Sequence, residues 1–291
     1  MVFWQIRILK IPKSLCLTLK THLKLISVFF EFHIKQHLSL DLQSMGFFSF
    51  LLKSDKEKLQ VPPIKVDMHS HFLPGIDDGA QNMDETLKLL KTFENRGYQK
   101  IITTPHIIQD LYQNTPDTIF PVLEQVKKAL EESGSQLKIH AAAEYFIDDH
   151  FIEILEAGES LLTLKDNFVL VETGFLNEPA YLKEVLFKMR LKGYKPVLAH
   201  PERYHYLQTK KEKVEELFDS GVYLQINTMS LGGYYGPPAL KLAEWMIDQE
   251  FVHFLGSDCH RTKHLEPLDK AYQSKAFKKI REQPLLNDTL L

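Results

Sequence analysis

The chain has 291 residues, 44% of them hydrophobic and 25% charged, with a formal net charge of -3. That composition is ordinary for a soluble globular protein, and the length allows one large domain or two small ones. The charge is uneven: residues 1–58 net +5 and the remainder nets -8, so the main body lacks the basic face that a nucleic-acid binder needs. Cys16 and Cys259 are the only cysteines, which excludes a disulfide framework and makes a reducing, cytoplasmic setting the expectation.

Residues 1–44 are apolar and basic. Lys10, Lys13, Lys20 and Lys24 interrupt the run, so no clean span of about 20 apolar residues forms and stable membrane insertion is not expected. A small-residue cleavage pattern is also missing. Met45-Gly46-Phe47-Phe48 reads as a better start. The expectation is a spurious or dispensable extension over 1–44, a linker over 45–63 that ends in Pro62-Pro63, and a functional domain over 64–291.

From residue 64 a rhythm of apolar strand and amphipathic helix sets in. Residues 65–71 read as the first strand. Asn82 or Asp84 caps a helix that ends at Gly97. Residues 100–106 form a second strand, and Pro116 opens a helix that stops near Gly134. A third strand covers 137–145, with a helix over 147–157 closed by Gly158. Residues 168–173 form the fourth strand, followed by a helix over 179–191. The fifth strand is 196–200, with a helix over 210–219. The sixth is 223–228, with a helix over 238–248. The seventh is 252–258, and a last helical segment covers 267–282. Seven β-α units imply parallel strands with crossover helices, and continuous apolar runs such as Phe168-Val169-Leu170-Val171 fit a sheet covered on both faces. A barrel is preferred to an open sheet because six strands end in polar side chains, and a barrel brings strand C-termini to one mouth.

Those side chains are His69, His71, Asp78, His106, Glu144, Glu172, His200, Asp258 and His260. Residues i and i+2 of a strand share a side, so His69 and His71 present two imidazoles together. Singly, each has a bland reading: a hydrogen-bonded loop histidine, a helix cap at Asp258, a salt bridge at Glu172. Together they require six strands to end in metal-capable groups by accident. A carboxylate buried at the end of an apolar strand is also costly unless paired or metal-bound. Nine donors exceed the needs of one ion and divide naturally among three. Mixed imidazole and carboxylate donors suit Mn, Zn or Fe better than Ca or Mg. Four carboxylates against three divalent ions leave the site at about +2, which matches a phosphate monoester dianion.

Asp67-Met68-His69-Ser70-His71, Leu73-Pro74-Gly75-Ile76-Asp77-Asp78-Gly79, Thr103-Thr104-Pro105-His106, Ala199-His200-Pro201-Glu202-Arg203-Tyr204 and Gly256-Ser257-Asp258-Cys259-His260 resemble the motifs of the PHP (polymerase and histidinol phosphatase) superfamily. They are most similar to its bacterial metal-dependent protein-tyrosine phosphatase branch, found in capsule and exopolysaccharide loci, over about residues 64–285. The resemblance implies a distorted seven-stranded (β/α)7 TIM-like barrel and hydrolysis of phosphotyrosine by a metal-bridged hydroxide. It implies one metal on His69, His71, Glu144 and Asp258, a second sharing Glu144 with Glu172 and His200, and a third on Asp78, His106 and His260. Asp78 is preferred to Asp77 because it precedes Gly79. Arg203 matches an arginine the family uses at the phosphate. A second arginine has no clear counterpart, and Arg261 or Lys263 stands nearest to that role. Cys259 is not read as a nucleophile, because no Cys-x5-Arg phosphate loop surrounds it. The implied partner is a phosphotyrosine-containing protein, the Tyr-rich C-terminal tail of a bacterial tyrosine kinase, with Tyr204, Tyr206, Tyr234 and Tyr235 as candidates to line the mouth. The competing readings are histidinol-phosphate phosphatase, a non-catalytic metal-binding regulatory module and, disfavoured by the acidic body, a nuclease.

Overall fold

A computed structural model describes residues 64–291. The expected extension over 1–44 and the whole of the linker over 45–63 lie outside the described residues.

The described chain is a mixed α/β fold on two sheets whose named strands all pair in parallel. In chain order the elements are β1 (Val66–Asp67), α1 (Met83–Asn95), β2 (Lys100–Thr103), β3 (His106–Ile107), α2 (Pro116–Glu132), β4 (Lys138–Ala141), β5 (Glu144–Phe146), α3 (Asp149–Ala157), β6 (Phe168–Glu172) and α4 (Leu182–Leu191). There follow β7 (Lys195–Ala199), α5 (His205–Gln208), α6 (Lys211–Asp219), β8 (Tyr223–Asn227), α7 (Pro237–Asp248), β9 (Phe254–Gly256), α8 (Leu265–Tyr272) and α9 (Lys275–Ile280). Short 3-10 turns occupy Pro201–Arg203, Thr228–Gly232, Thr262–His264 and Asn287–Leu290.

The strands fall into two sheets, ordered β1-β2-β4 and β3-β5-β6-β7-β8-β9. The second and third predicted strands are each cut in two. Pro105 has no N–H to give the ladder, and the chain steps over Thr104-Pro105 before pairing resumes at His106. The third strand steps over Ala142-Ala143 at the same level, so Thr103 pairs with Ala141 before the break and His106 with Glu144 after it. Backbone hydrogen bonds cross this crease, from Ala142 N to Thr103 O at 2.9 Å and from Glu144 N to Pro105 O at 3.1 Å. The two far edges meet through a parallel bridge between Ser70 and Cys259.

Alternate residues of the strands divide between two apolar layers. Ile101, Val169, Val171, Leu198, Leu224 and Leu255 pack with the helices, including Leu89 and Phe93 of α1 and Leu242 and Met246 of α7. Val66, Met68, Ile102, Leu170, Val197, Ala199 and Phe254 pack with one another on the other face. Each fully buried aliphatic or aromatic side chain stabilises the fold by about 1.5–3 kcal/mol relative to exposure. The C-terminal turn closes the end where the strands start: Asn287 Nδ2 donates to Val66 O and Leu255 O, and Leu255 N donates to Asn287 Oδ1. The opposite end, where the strands finish, carries the polar side chains.

Helix boundaries follow local chemistry. Asn82 caps α1 by accepting from Glu85 N at 2.9 Å, Asp148 caps α3 through Phe151 N, and Gly158 ends α3 at φ 75°, a conformation that suits a residue without Cβ. The last predicted helix is two helices, because Ser274 caps α9 through Phe277 N. Among the described residues no helix is long and apolar enough to cross a membrane.

Candidate active site

The nine predicted donors converge where the strands end. Glu144, the first residue of β5, is fully buried. Its Oε2 lies 3.1 Å from His69 Nε2, 3.4 Å from His71 Nε2 and 3.2 Å from His106 Nδ1, and its Oε1 lies 3.0 Å from His200 Nε2. Glu172, the last residue of β6, reaches His106 Nδ1 at 3.0 Å. Asp258 Oδ1 stands 3.5 Å from both His69 Nε2 and His71 Nε2 and 3.4 Å from His260 Nδ1. Asp78, half exposed, faces His106 Nε2 at 3.5 Å and His260 Nε2 at 3.3 Å.

The donors form four overlapping groups, each with its donor atoms within 4.8 Å: His71, Asp78, His106 and His260; His69, His71 and Glu144; His69, His200 and Asp258; and His106, Glu144 and Glu172. The expected trio Asp78, His106 and His260 is thus together, joined by His71. The expected trio Glu144, Glu172 and His200 is looser: His200 lies 3.8 Å from Glu172, and His106 is the nearer imidazole.

This chemistry suits divalent cations. His69 Nε2 and His71 Nε2 lie 3.4 Å apart and face the same carboxylate, an arrangement in which two protonated imidazoles would repel. Glu144 Oε2 is buried without a hydrogen bond of good geometry, a costly state for an anion that no cation offsets. Burial alone would raise the Glu144 carboxyl, but His69 and His106 hold it well below the ordinary range. Burial likewise opposes ionisation of Asp258, and His69 and His260 keep it well below normal. Burial and neighbouring His71 lower the affinity of His106 for its proton, yet Glu144 and Glu172 push it up to about 9.

Two of these residues sit in strained backbone. His200 has φ 35° and Asp258 φ 49°, left-handed values that cost a non-glycine residue about 1–3 kcal/mol and concentrate at functional sites.

Around the nine lies a second set of contacts. Asp77 accepts from Gly79 N at 2.9 Å and binds His71 Nδ1 at 2.7 Å, so it turns His71 Nε2 toward the site while Asp78 faces it directly. A Cβ on Gly79 would fall on the carbonyl oxygen of His71. Asp67 links the first and last strands by accepting from Ser257 N at 2.8 Å and Ser257 Oγ at 2.6 Å, and burial pushes its carboxyl up to about 7. Glu202 accepts from Asn227 N and Ser230 Oγ. Gln225 and Asn227 of β8 contact His69 and Asp258. Sequence reasoning singled out none of Asp67, Gln225 or Asn227. The signal at β8 was present: in Tyr223-Leu224-Gln225-Ile226-Asn227 two polar residues alternate with two that pack on the helices.

Arg203 follows His200 on the turn Pro201–Arg203. Its Nη1 donates to Asp258 Oδ2 at 2.7 Å, and its guanidinium lies between the rings of Phe175, at 4.6 Å, and Tyr235, at 4.3 Å. Burial disfavours its charge, but Asp258 more than compensates and raises its pKa. Arg261 also reaches the mouth, where its Nε donates to Asp78 O at 3.0 Å. Arg203, Arg261, Lys263, Tyr112, Phe175 and Tyr234 are among the residues lining a cleft of about 710 Å³ over the donors. Tyr235 lines it too, but Tyr204 does not: it is fully buried, and its hydroxyl accepts from Thr173 N. Tyr206 bonds Thr173 Oγ1 behind the wall. Cys259 is buried, and burial pushes its thiol well up, the opposite of a reactive thiolate.

Scaffold and site together define an α/β protein with clustered metal-capable side chains at the ends of parallel strands. Residues 65–286 match the family described as capsular polysaccharide synthesis, CpsB/CapC, and the chain belongs to that family. It is 30% identical over 199 residues to the tyrosine-protein phosphatase YwqE of Bacillus subtilis, covering 68% of this chain and 78% of that protein. It is 29% identical over 214 residues to the tyrosine-protein phosphatase CpsB of Streptococcus pneumoniae, covering 71% and 88%. A crystal structure from work on YwqE and CpsB, described as metal-dependent tyrosine phosphatases, superposes with a TM-score of 0.65 at 28% identity, over 76% of this chain and 96% of that one.

Proposed function

We propose that the chain is a metal-dependent protein-tyrosine phosphatase. The observation that carries this reading is the buried Glu144 carboxylate ringed by His69, His71, His106 and His200, with Arg203 in the cleft beside it. Membership of a family whose relatives are named tyrosine-protein phosphatases supports it.

His69, His71, Asp78, His106, Glu144, Glu172, His200, Asp258 and His260 are the residues we assign to three divalent ions, Mn, Zn or Fe. Bound there, such ions supply Lewis acidity, which makes water a usable nucleophile near neutral pH and offsets charge on phosphoryl oxygens. Arg203 places a fixed positive charge in the same cleft. Asp258 and the two flanking rings hold its planar group in one orientation, so it needs little reorganisation to receive an equatorial phosphoryl oxygen. Arg261, which lines the same cleft and donates to Asp78 O, is assigned a weaker second contact. A phenolate leaves readily, its conjugate acid having a pKa of about 10, so the site needs no strong general acid for an aryl ester.

The substrate we assign is a phosphotyrosine-containing protein, with the flexible tail of a bacterial tyrosine kinase as the specific partner and the cytoplasm as the setting. For the scaffold we infer a distorted seven-stranded barrel over 64–291; counting each creased strand once gives seven, and the Ser70–Cys259 bridge supports closure. A steady-state comparison of a phosphotyrosine peptide with histidinol phosphate tests the substrate class. The reading expects the peptide to be preferred, and a clear preference for histidinol phosphate would overturn it.

A further inference from the structure

β8 carries none of the nine donors, yet two of its side chains touch them. Gln225 and Asn227 are both fully buried and, being two residues apart, share one side of the strand. His69 Nδ1 lies 2.9 Å from Gln225 Oε1, Gln225 Nε2 donates to Asn227 Oδ1 at 3.0 Å, and Asn227 Nδ2 donates to Asp258 Oδ2 at 2.6 Å. These contacts form one unbroken chain from Asp258 to His69.

The direction of that chain is fixed at both ends. An ionised carboxylate only accepts hydrogen bonds, so Asp258 requires the NH2 of Asn227. Asn227 then has only its oxygen for Gln225, which must offer its own NH2 and turn its oxygen to His69. At the other end the backbone N–H of His200, which only donates, also points at Gln225 Oε1 at 3.4 Å. Both ends therefore demand the same amide orientation. A carbonyl oxygen facing His69 Nδ1 requires a proton on that nitrogen, so the ring can give up only its Nε2 proton when it becomes neutral, and Nε2 is the nitrogen aimed at Glu144 and Asp258.

Close packing keeps the chain in register. A Cβ on Gly256 would come within 2.5 Å of His69 Cβ and 2.9 Å of Gln225 Nε2, so β9 needs glycine where these two side chains pass.

We propose that Gln225 is a positioning residue that, with its amide oriented through Asn227 by Asp258, holds His69 as the Nδ1–H tautomer and so commits His69 Nε2 to metal binding. The proposal rests on the metal reading of the site. A hydrogen bond of this kind to the far nitrogen of a ligating histidine is worth about 10–100-fold in metal affinity.

The test uses the full chain loaded with Zn2+ alone. Long-range 15N NMR of the histidines reads the tautomer, and competition with a chromogenic chelator reads the affinity. In the wild type, His69 is expected to carry its proton on Nδ1. Gln225→Leu, of similar shape without polar atoms, is expected to weaken Zn2+ binding about 10–100-fold, and Gln225→Glu, which keeps an oxygen facing Nδ1 but sets its second oxygen against Asn227 Oδ1, to recover part of that loss. A His69 protonated on Nε2 in the wild type would overturn the proposal without any variant. So would Gln225→Leu binding Zn2+ within about twofold of the wild type, or equal losses in the two variants, which would indicate mere packing. A wild type that takes up no Zn2+ would overturn the metal reading itself and this proposal with it.

Discussion

Arg203 and Asp258 are joined by a 2.7 Å hydrogen bond between Nη1 and Oδ2, although they lie on different strand-end loops. The pair ties the positive charge of the cleft to one of the nine donors, so Arg203 is placed by the same carboxylate that we assign to a metal. Removing it takes away a cation set for the phosphoryl group and leaves one Asp258 oxygen with fewer partners. Arg203→Ala is expected to lower kcat/KM for a phosphotyrosine peptide by about 100–1,000-fold, in the range seen when one preorganised donor to a developing charge is lost. Arg203→Lys should recover only part of this, because an ammonium cannot stack flat between Phe175 and Tyr235. Activity within a few-fold of the wild type in Arg203→Ala would remove the arginine from the mechanism.

Metal uptake is expected to depend on pH in a defined direction. Glu144 and Glu172 push His106 up to about 9, so near neutrality its imidazole carries a proton that a metal must displace. Affinity measured by chelator competition should therefore rise with pH through neutrality and level off above about 9, with protons released into a weak buffer on binding. A flat profile between pH 6 and about 9 would contradict the assignment of His106 as a donor.

Gly79 is expected to admit no larger residue. Gly79→Ala puts a methyl group against the carbonyl of His71, and relief requires the loop to shift the Asp77–His71 contact. The cost should be about 1–3 kcal/mol in stability, read as a lower Tm, together with weaker metal binding. An unchanged Tm would show that the loop has more slack than the geometry allows.

Core substitutions on the helix layer should separate stability from activity. Leu89 of α1 is fully buried in the apolar helix layer, which contains none of the nine donors. Leu89→Ala is expected to cost about 2–5 kcal/mol on denaturation while leaving kcat per folded molecule near that of the wild type.

Much of this was legible in the sequence because it rests on short-range pattern. The charged residue ending Phe168–Glu172 and the glycines and caps around the helices are local signals that the elements follow within a few residues, but the first strand, expected over 65–71, stops at Asp67, so His69 and His71 lie on the segment beyond it, where Ser70 alone bridges to Cys259. The crease at Thr104-Pro105 was half legible: Pro105 forbids a ladder bond, but the matching step at Ala142-Ala143 is imposed by the neighbouring strand and has no local cause. Which imidazole stands nearest Glu172 depends on how β3, β5 and β6 lie side by side, so His106 rather than His200 could not be read from order along the chain. Tyr204 was a candidate for the mouth, yet its ring is fully buried and its hydroxyl is taken up by Thr173 N, contacts that adjacency to Arg203 along the chain does not reveal. Gln225 and Asn227 were overlooked because neutral amides are not metal donors of the expected kind; their role exists only through contacts to His69 and Asp258, distant in sequence.

The central claim is that the nine clustered side chains hold divalent ions needed for phosphotyrosine hydrolysis. The most direct measurement is elemental analysis of the purified chain before and after chelation, coupled to release of phosphate from a phosphotyrosine peptide. The account predicts bound Mn, Zn or Fe, loss of activity with the metal, recovery on adding it back, and little inhibition by vanadate at levels that block thiol phosphatases. A chain that hydrolyses the peptide equally well when stripped of metal would contradict it.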